Sequence, residues 1–112
     1  MDALKIGMIG TATLVVGTND TALRVGSGSS SVLATPVMIA LAEEAALDAV
    51  ESHLSNGKQT LGTLVNISHI AATPIGMTVT AKATLTKMDG RMLEFAIHVS
   101  DSQETIGEGH HN

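Results

Sequence analysis

The sequence predicts an α+β domain in which an antiparallel sheet is covered on one face by a single helix. The segment from Thr35 to about Leu54 has the composition and spacing of a helix, and the segments after it alternate apolar and polar residues. The pair Asp89-Gly90 separates two of the alternating segments, as in a tight hairpin. Strands grouped after one helix are typical of α+β folds. With 112 residues, the chain is predicted to form one domain over 1–112.

The composition favours association of the chain with a second copy of itself. Apolar residues make up 44% of the sequence, which suits a globular protein, but Phe95 is the only aromatic residue. A core built from Ala, Val, Ile, Leu and Met buries less area per side chain than one with aromatic rings. We therefore expect additional burial against a partner subunit, most simply in a symmetric homodimer.

The charges and the missing cysteines exclude several classes of function. The net charge is −5, and the six basic residues are scattered, so no basic surface for nucleic acid is expected. Because the chain has no cysteine, disulfides and thiolate metal sites are excluded. No signal peptide is recognisable and no apolar run approaches the roughly 20 residues of a membrane span, so no membrane partner and a cytoplasmic location are expected. No cofactor is predicted.

Three segments precede the helix. Met8–Gly17 alternates loosely and ends at a turn signal, which predicts a first strand. Thr21–Gly26 is predicted to be a second, short extended segment. Gly26–Val32 is rich in Gly and Ser, and in the middle of a small domain it is better explained as a functional loop than as a linker.

The helix has clear start and stop signals. Thr35 is the predicted N-cap and Pro36 stands at the first helical position, where a missing N–H costs nothing. The sequence Ser55–Gly57 is predicted to terminate the helix. At 100° per residue one face carries mainly apolar residues, although Val37 and Leu41 fall on the other side. That apolar face consists of Ile39, Ala46, Leu47, Val50 and Leu54.

Glu43 interrupts this apolar face, whereas its neighbour Glu44 lies on the polar side. A carboxylate on a buried helix face is costly to ionise, so it is retained where it is paired or functional. The alternatives are a structural ion pair or a side chain that reaches solvent at the edge of the face. A functional carboxylate is the favoured interpretation of Glu43.

Four strands are predicted after the helix, in the order of a meander. They lie in 60–70, 77–88, 91–100 and from 105 onward. In the first of them, His69 ends a mostly apolar face, where a histidine is more often structural than catalytic. Gly62 is unusual inside a strand, and it marks either a bulge or a place where a ligand approaches the backbone.

Two further features of the sequence, Thr35 and the pair His110-His111, have simple structural explanations. Thr35 is sufficiently explained as an N-cap, yet it also lies at a helix N-terminus, where the dipole favours developing negative charge. His110 and His111 are adjacent but have no further ligand at a suitable spacing, so no metal site is predicted.

Taken together, "VGSGSSSVLATPVMIALAEEAAL", "TLGTLVNISHIAATPIGMTVTAKATL" and "DGRMLEFAIHVSDSQETIGEGHH" resemble the fluoroacetyl-CoA thioesterase-like branch of the hotdog-fold thioesterases. The resemblance covers nearly the whole chain. It depends on Ala34-Thr35-Pro36, on Glu43 eight residues after Thr35, on Gly62, and on His69 followed by Ala-Thr-Pro-x-Gly. It implies a hotdog fold, an antiparallel sheet wrapped around one central helix, in a homodimer with active sites at the interface.

The resemblance also implies an acyl-CoA substrate that is hydrolysed to a free acid and CoA. The family's catalytic threonine, glutamate and histidine fall on Thr35, Glu43 and His69, and its substrate-binding backbone amide falls on Gly62. Glu43 either activates water or attacks the carbonyl, and the sequence leaves both roles open.

The loop before the helix departs from the family, because it reads "GSGSSS" where the fluoroacetate-specific member carries aromatic lid residues. We therefore expect a different, broader range of small acyl groups. The main alternative function is a non-catalytic hotdog dimer that binds an acyl-CoA or another small ligand. A hotdog dehydratase or hydratase is less favoured, because the Thr/Glu/His spacing does not match the Asp–His pair usual in those enzymes.

Overall fold

A computed structural model describes residues 4–54 and 60–112. The elements run β1 (Ile9–Val15), α1 (Ala22–Val25), α2 (Thr35–Val50), β2 (Val65–His69), β3 (Thr78–Asp89), β4 (Met92–Asp101) and β5 (Thr105–His111). Single 3-10 turns follow β1 and α2, at Thr18–Asp20 and Glu51–His53. The α+β class is confirmed, with one long helix and an antiparallel sheet.

The five strands form one sheet in the order β1-β3-β4-β5-β2, and every neighbouring pair is antiparallel. The predicted four-strand meander is therefore wrong at its first step, because β2 pairs with β5 and not with β3. Only β3, β4 and β5 follow one another as a meander, and the predicted hairpin at Asp89-Gly90 is confirmed between β3 and β4. The connection after β2 crosses to the other side of the sheet, which leaves β2 at an edge.

Helix α2 packs against β1, β3 and β4 through its smallest side chains. A Cβ at Gly10 of β1 would overlap the Ala45 carbonyl oxygen and the Ala49 backbone nitrogen, so the helix lies directly on that glycine. Large apolar residues of the sheet fill the space around this contact. The buried strand residues include Val79, Ala81, Ala83, Leu85, Phe95, Ile97 and Val99.

The buried face of α2 differs from the predicted one. Leu41, expected on the polar side, is buried, and Leu47, expected in the apolar stripe, is 37% exposed. The prediction followed the large side chains, whereas the sheet contact uses alanines. The buried residues of α2 are Met38, Leu41, Ala42, Ala45, Ala46, Ala49 and Val50. Glu43 lies on the adjoining flank and is exposed in the single chain, so the prediction that it projects from the buried face is wrong for one protomer.

The predicted second extended segment at 21–26 is instead the short helix α1. The Thr21 hydroxyl accepts a hydrogen bond from the Arg24 N–H at 3.3 Å, which caps the first turn. Gly26, at φ 92°, adopts the left-handed conformation that ends it. These are ordinary capping signals around a segment too short to show a helical period.

Both ends of α2 also differ from prediction. Ala34 is the N-cap, and Thr35 is the first helical residue with no capping hydrogen bond from its side chain. The α-helix ends at Val50 and a 3-10 turn continues to His53, so it is shorter than predicted. The predicted stop signal at 55–57 lies outside the described residues. Among the described helices, none is long and apolar enough to cross a membrane.

Candidate active site

The first half of the candidate site lies at the N-terminus of α2. The Thr35 hydroxyl oxygen is 2.7 Å from Nδ1 of His69, the last residue of β2. Thr35 is free for this contact because Ala34 takes the N-cap position. The structure thus brings together two residues that lie 34 positions apart in the sequence.

The surroundings of His69 favour a neutral imidazole. Burial lowers the pKa of His69 below its usual value of 6.5, and the backbone of Ala71 opposes this only in part. Its Nε2 atom is buried and has no hydrogen-bond partner among the described residues. A neutral ring with one nitrogen bonded to Thr35 and the other unsatisfied can accept or donate a proton to a bound group.

Thr35 and His69 line a cavity of about 370 Å³. The Gly/Ser loop forms one side of it through Ser27, Gly28 and Ser29. This agrees with the prediction that the loop is part of a functional site. Small residues on both sides leave room for a small ligand group beside the Thr35–His69 pair.

The second half of the candidate site lies farther along α2. A Cβ built on Gly62 would stand 3.0 Å from the Glu43 carboxylate oxygen Oε2, so this carboxylate faces the Gly62 backbone. Gly62 lies before β2, outside any assigned strand, and its N–H donates to none of the described residues. An amide without a partner beside a carboxylate can hold a polarised carbonyl oxygen next to a base or nucleophile.

The two halves are separate in one chain. Glu43 and Gly62 line a different, larger cavity of about 1130 Å³, and this cavity shares no lining residue with the one at Thr35 and His69. Thr35 and Glu43 are eight residues apart on one helix, which corresponds to about 12 Å along its axis. The structure therefore pairs the four predicted site residues two by two and does not unite them within the protomer.

Sequence reasoning missed one residue of the second half. His111 is buried, and its Cε1 would also stand 3.0 Å from a Cβ on Gly62. From the sequence, His111 is notable only as a possible metal ligand next to His110, which is exposed. In the part of the chain that the structure describes, no group of three or more His, Asp or Glu is arranged to hold a metal ion. The alternation in β5 does not reveal this position, because it places His111 on the face opposite the buried Ile106. The pairing of His111 with the buried Phe95 places it on the inner face of the sheet.

The model of a family described as fluoroacetyl-CoA-specific thioesterase matches residues 16–112. The chain belongs to this thioesterase family. A fluoroacetyl-CoA thioesterase of Streptantibioticus cattleyicolor is 40% identical over 80 residues. These residues are 71% of this chain, and they span 58% of the length of that relative.

Solved structures agree with the family assignment. The structure of the fluoroacetyl-CoA thioesterase has a TM-score of 0.91 and 33% identity, and the match covers 98% of this chain and 86% of that one. A hot-dog-like protein of Thermanaerovibrio acidaminovorans has a TM-score of 0.85 at 16% identity, covering 95% of this chain and 78% of its own. The second likeness concerns the fold alone. The expected hotdog fold of this thioesterase-family chain is thus confirmed.

Proposed function

We propose that this protein is an acyl-CoA thioesterase that hydrolyses a small acyl-CoA to the free acid and CoA. Family membership supports the reaction class. The observation that carries the proposal is the pairing of Thr35 with His69 and of Glu43 with Gly62. Each pair supplies part of what thioester hydrolysis requires, and neither is sufficient alone. Residues 1–112 act as one thioesterase-like domain.

The complete active site forms between two protomers of a homodimer. Helix α2 and the chain from Gly62 to His69 run in opposite directions, because the start of α2 lies at His69 and its middle lies at Gly62. If β2 of one protomer pairs antiparallel with β2 of another, the His69 end of one strand lies near the Gly62 end of the other. A two-fold axis then places the Thr35–His69 pair of each protomer near the Glu43–Gly62 pair of its partner.

The surface around β2 supports this mode of association. The strand is at the sheet edge, where unpaired backbone groups favour addition of another strand. Apolar side chains next to it are exposed in the single chain, including Leu61 at 85%, Leu64 at 56% and Leu47 on the flank of α2. Burial of such a patch between copies stabilises a dimer, and it removes Glu43 from bulk water.

Glu43 supplies the negative charge for the chemical step. As a general base, its carboxylate takes a proton from water while the water oxygen attacks the thioester carbonyl carbon. As a nucleophile, it attacks that carbon itself, forms a mixed anhydride and releases the CoA thiolate; water then cleaves the anhydride. Both routes use the Gly62 N–H as a donor to the carbonyl oxygen. The carbon–sulfur bond breaks in either case.

His69 and Thr35 complete the reaction. The neutral His69 imidazole relays a proton to the CoA sulfur, so that CoA is released as a thiol. In the general-base route this is the proton that Glu43 took from water; in the nucleophilic route His69 takes it from the water that cleaves the anhydride and passes it to the thiolate. Thr35 fixes the orientation of the ring through the 2.7 Å hydrogen bond to Nδ1. No metal or other cofactor is required for this sequence of steps.

The loop at the first cavity sets the acyl group. In the curated relative the named substrate is fluoroacetyl-CoA. Here the loop that lines the cavity presents Ser27, Gly28 and Ser29 and carries no aromatic side chain. We therefore expect a range of small acyl groups, broader than fluoroacetyl.

The test is thiol release from a panel of short, branched and aryl acyl-CoAs. The wild-type protein should turn over at least one of them, and Glu43→Gln should lose about 10²-fold or more in kcat, the contribution typical of a positioned base. Glu44→Gln is the matched control, since its side chain points about 100° away around the helix, and it should retain near-wild-type turnover. Because the protein has no cysteine, a thiol reporter has no background from the chain.

Two results would contradict the proposal. Equal losses in Glu43→Gln and Glu44→Gln would remove the special role of Glu43. Binding of acyl-CoA without turnover, in a folded dimer, would instead support a non-catalytic binding protein.

The cytoplasmic location stays a prediction.

A further inference from the structure

We propose that His111 is a positioning residue of the thioesterase site, which holds the Gly62 segment in place beside Glu43. This inference rests on the proposed function. Neither the family comparison nor the mechanism above assigns a role to this side chain. The evidence is its burial, its two ring contacts and its position against Gly62.

The fold places His111 between two neighbouring strands, beside the cavity that Glu43 lines. In β5 it pairs with Val65 of β2 on one side and with Phe95 of β4 on the other. Its side chain is 6% exposed and lines the same cavity as Glu43 and Gly62. The ring is therefore fixed inside the second half of the site.

The single aromatic residue of the chain supports this histidine. The rings of Phe95 and His111 are stacked, with centroids 6.1 Å apart and planes inclined by 23°. Such offset stacking is worth about 0.5–1.5 kcal/mol beyond simple burial. The stacking holds the plane of the imidazole, so its edge is directed at one place.

One edge of the ring binds the backbone just after Gly62. Nδ1 of His111 is 3.3 Å from the Leu64 carbonyl oxygen. Because a carbonyl oxygen can only accept, Nδ1 carries the hydrogen in this contact. The same carbonyl accepts the N–H of Asn112 at 2.9 Å, and the N–H of Thr63 donates to the Asn112 carbonyl at 2.9 Å. The end of β5 thus holds the 62–64 segment at three points.

The ring and the Glu43 carboxylate approach the same side of Gly62. His111 Cε1 and Glu43 Oε2 both lie 3.0 Å from the position that a Cβ of Gly62 would occupy. Only glycine leaves this space open, so ring, carboxylate and backbone surround one small volume. A shift of the Gly62 segment would move its N–H away from the carbonyl oxygen, and errors of about 1 Å in such placements can cost 10²-fold in rate.

Three variants at position 111 distinguish positioning of the Gly62 segment from packing against Phe95. For each variant, kcat and KM are measured on the acyl-CoA that the wild type hydrolyses fastest. His111→Phe keeps a ring that stacks on Phe95 but cannot donate to Leu64. It should lose about tenfold or more in kcat, with little change in KM. His111→Asn keeps a donor near the place of Nδ1 and should recover most of that loss, whereas His111→Gln, whose amide corresponds to Nε2, should not.

His110→Phe is the matched control, because His110 is exposed and points to the other side of β5. It should leave kcat unchanged. Thermal unfolding of every variant shows whether the fold is kept. Full kcat in His111→Phe, or no recovery in a stable His111→Asn, would overturn the inference. If Glu43→Gln is inactive while all His111 variants are fully active, only this inference fails; if the wild type itself has no turnover, the proposed function fails.

Discussion

The two halves of the candidate site differ in how completely one chain builds them. At the start of α2, Thr35 and His69 are already hydrogen bonded and His69 is half-buried, next to a cavity closed on one side by a loop. Farther along the helix, the Glu43 side chain is exposed and lines a larger cavity with apolar neighbours such as Leu61. One half is finished within the protomer, and the other is not.

This difference supports the proposed homodimer. The charge of a carboxylate in contact with bulk water is screened, so it acts weakly on a bound substrate. The exposed apolar residues around Glu43 lie beside the edge strand β2. A second protomer that covers them would bring its own Thr35–His69 pair and exclude water from Glu43.

The largest effect is expected from the loss of the His69 imidazole. His69→Asn should lower kcat by about 10²-fold, as for removal of a general acid–base group. Because burial lowers the pKa of His69, the folded protein should keep this ring neutral at pH values below its usual 6.5. NMR titration of the histidine Cε1–H signals measures this, with the His69 signal assigned by its absence in His69→Asn.

A midpoint at or above 6.5 for that signal would show that burial does not lower the pKa of His69, and would contradict the description of this half of the site.

The lowered pKa of His69 also affects the stability of the fold. Between the lowered pKa and 6.5 the unfolded chain binds more protons at this residue than the folded one, so His69 makes the free energy of unfolding rise with pH in that window.

A smaller effect is expected from Thr35. Thr35→Val keeps the shape of the side chain but removes the hydroxyl that contacts His69, so it should reduce kcat by about tenfold, the value of one hydrogen bond. Thr35→Ser keeps the hydroxyl and should stay close to wild type. Steady-state kinetics on the same acyl-CoA compares the two. Equal losses in both variants would show that the methyl group matters and not the hydrogen bond.

The smallest effect concerns the chain that supports the finished half. Asp101 accepts hydrogen bonds from Thr73 in the connection after β2, at 3.0 Å, and from the N–H groups of Gln103 and Glu104 at 2.8 and 2.9 Å. Burial raises the pKa of Asp101, but these three bonds outweigh it and leave the pKa below the usual 3.8. The stabilisation is therefore complete above 3.8 and is lost as the pH falls through the lowered value.

Urea unfolding at pH 7 and pH 3 tests this support. The free energy of unfolding should fall less between the two pH values in Asp101→Asn than in the wild type, because the amide does not titrate. Kinetics at pH 7 should change little in Asp101→Asn, since neither half of the site contains this residue. An equal fall in both proteins would show that titration of the Asp101 carboxylate does not contribute to the free energy of unfolding.

The sequence predicts those elements in which apolar and polar residues alternate over many positions. The predictions of β3, β4 and the hairpin between them are confirmed, because buried and less buried residues alternate over 78–86 and over 94–100. The order of the sheet was not predictable in the same way, since local pattern does not say that β2 crosses to the far edge. The four-residue helix α1 was too short for any period.

The sequence also singles out the four residues proposed for the site, but it does not predict their arrangement. Glu43 is singled out because it interrupts large apolar residues, and the structure buries only part of that stripe, at Ala46 and Val50, while Leu47 beside Glu43 is exposed. His111 is not found from the sequence, because the contact of His111 with Gly62 depends on the pairing of β5 with β2. The exposure of Glu43 and the position of His111 both depend on contacts between segments that are far apart in the sequence.

The most direct test of the central claim uses dimers that contain two different inactive protomers. Glu43→Gln and His69→Asn are co-expressed with different affinity tags, and the mixed dimer is isolated through both tags. In a site shared between protomers, the mixed dimer has one intact site and should show about half of the wild-type kcat per dimer, while each parent homodimer is nearly inactive. Activity no higher than that of the parents would contradict the account, because it would place Glu43 and His69 of a single chain in the same site.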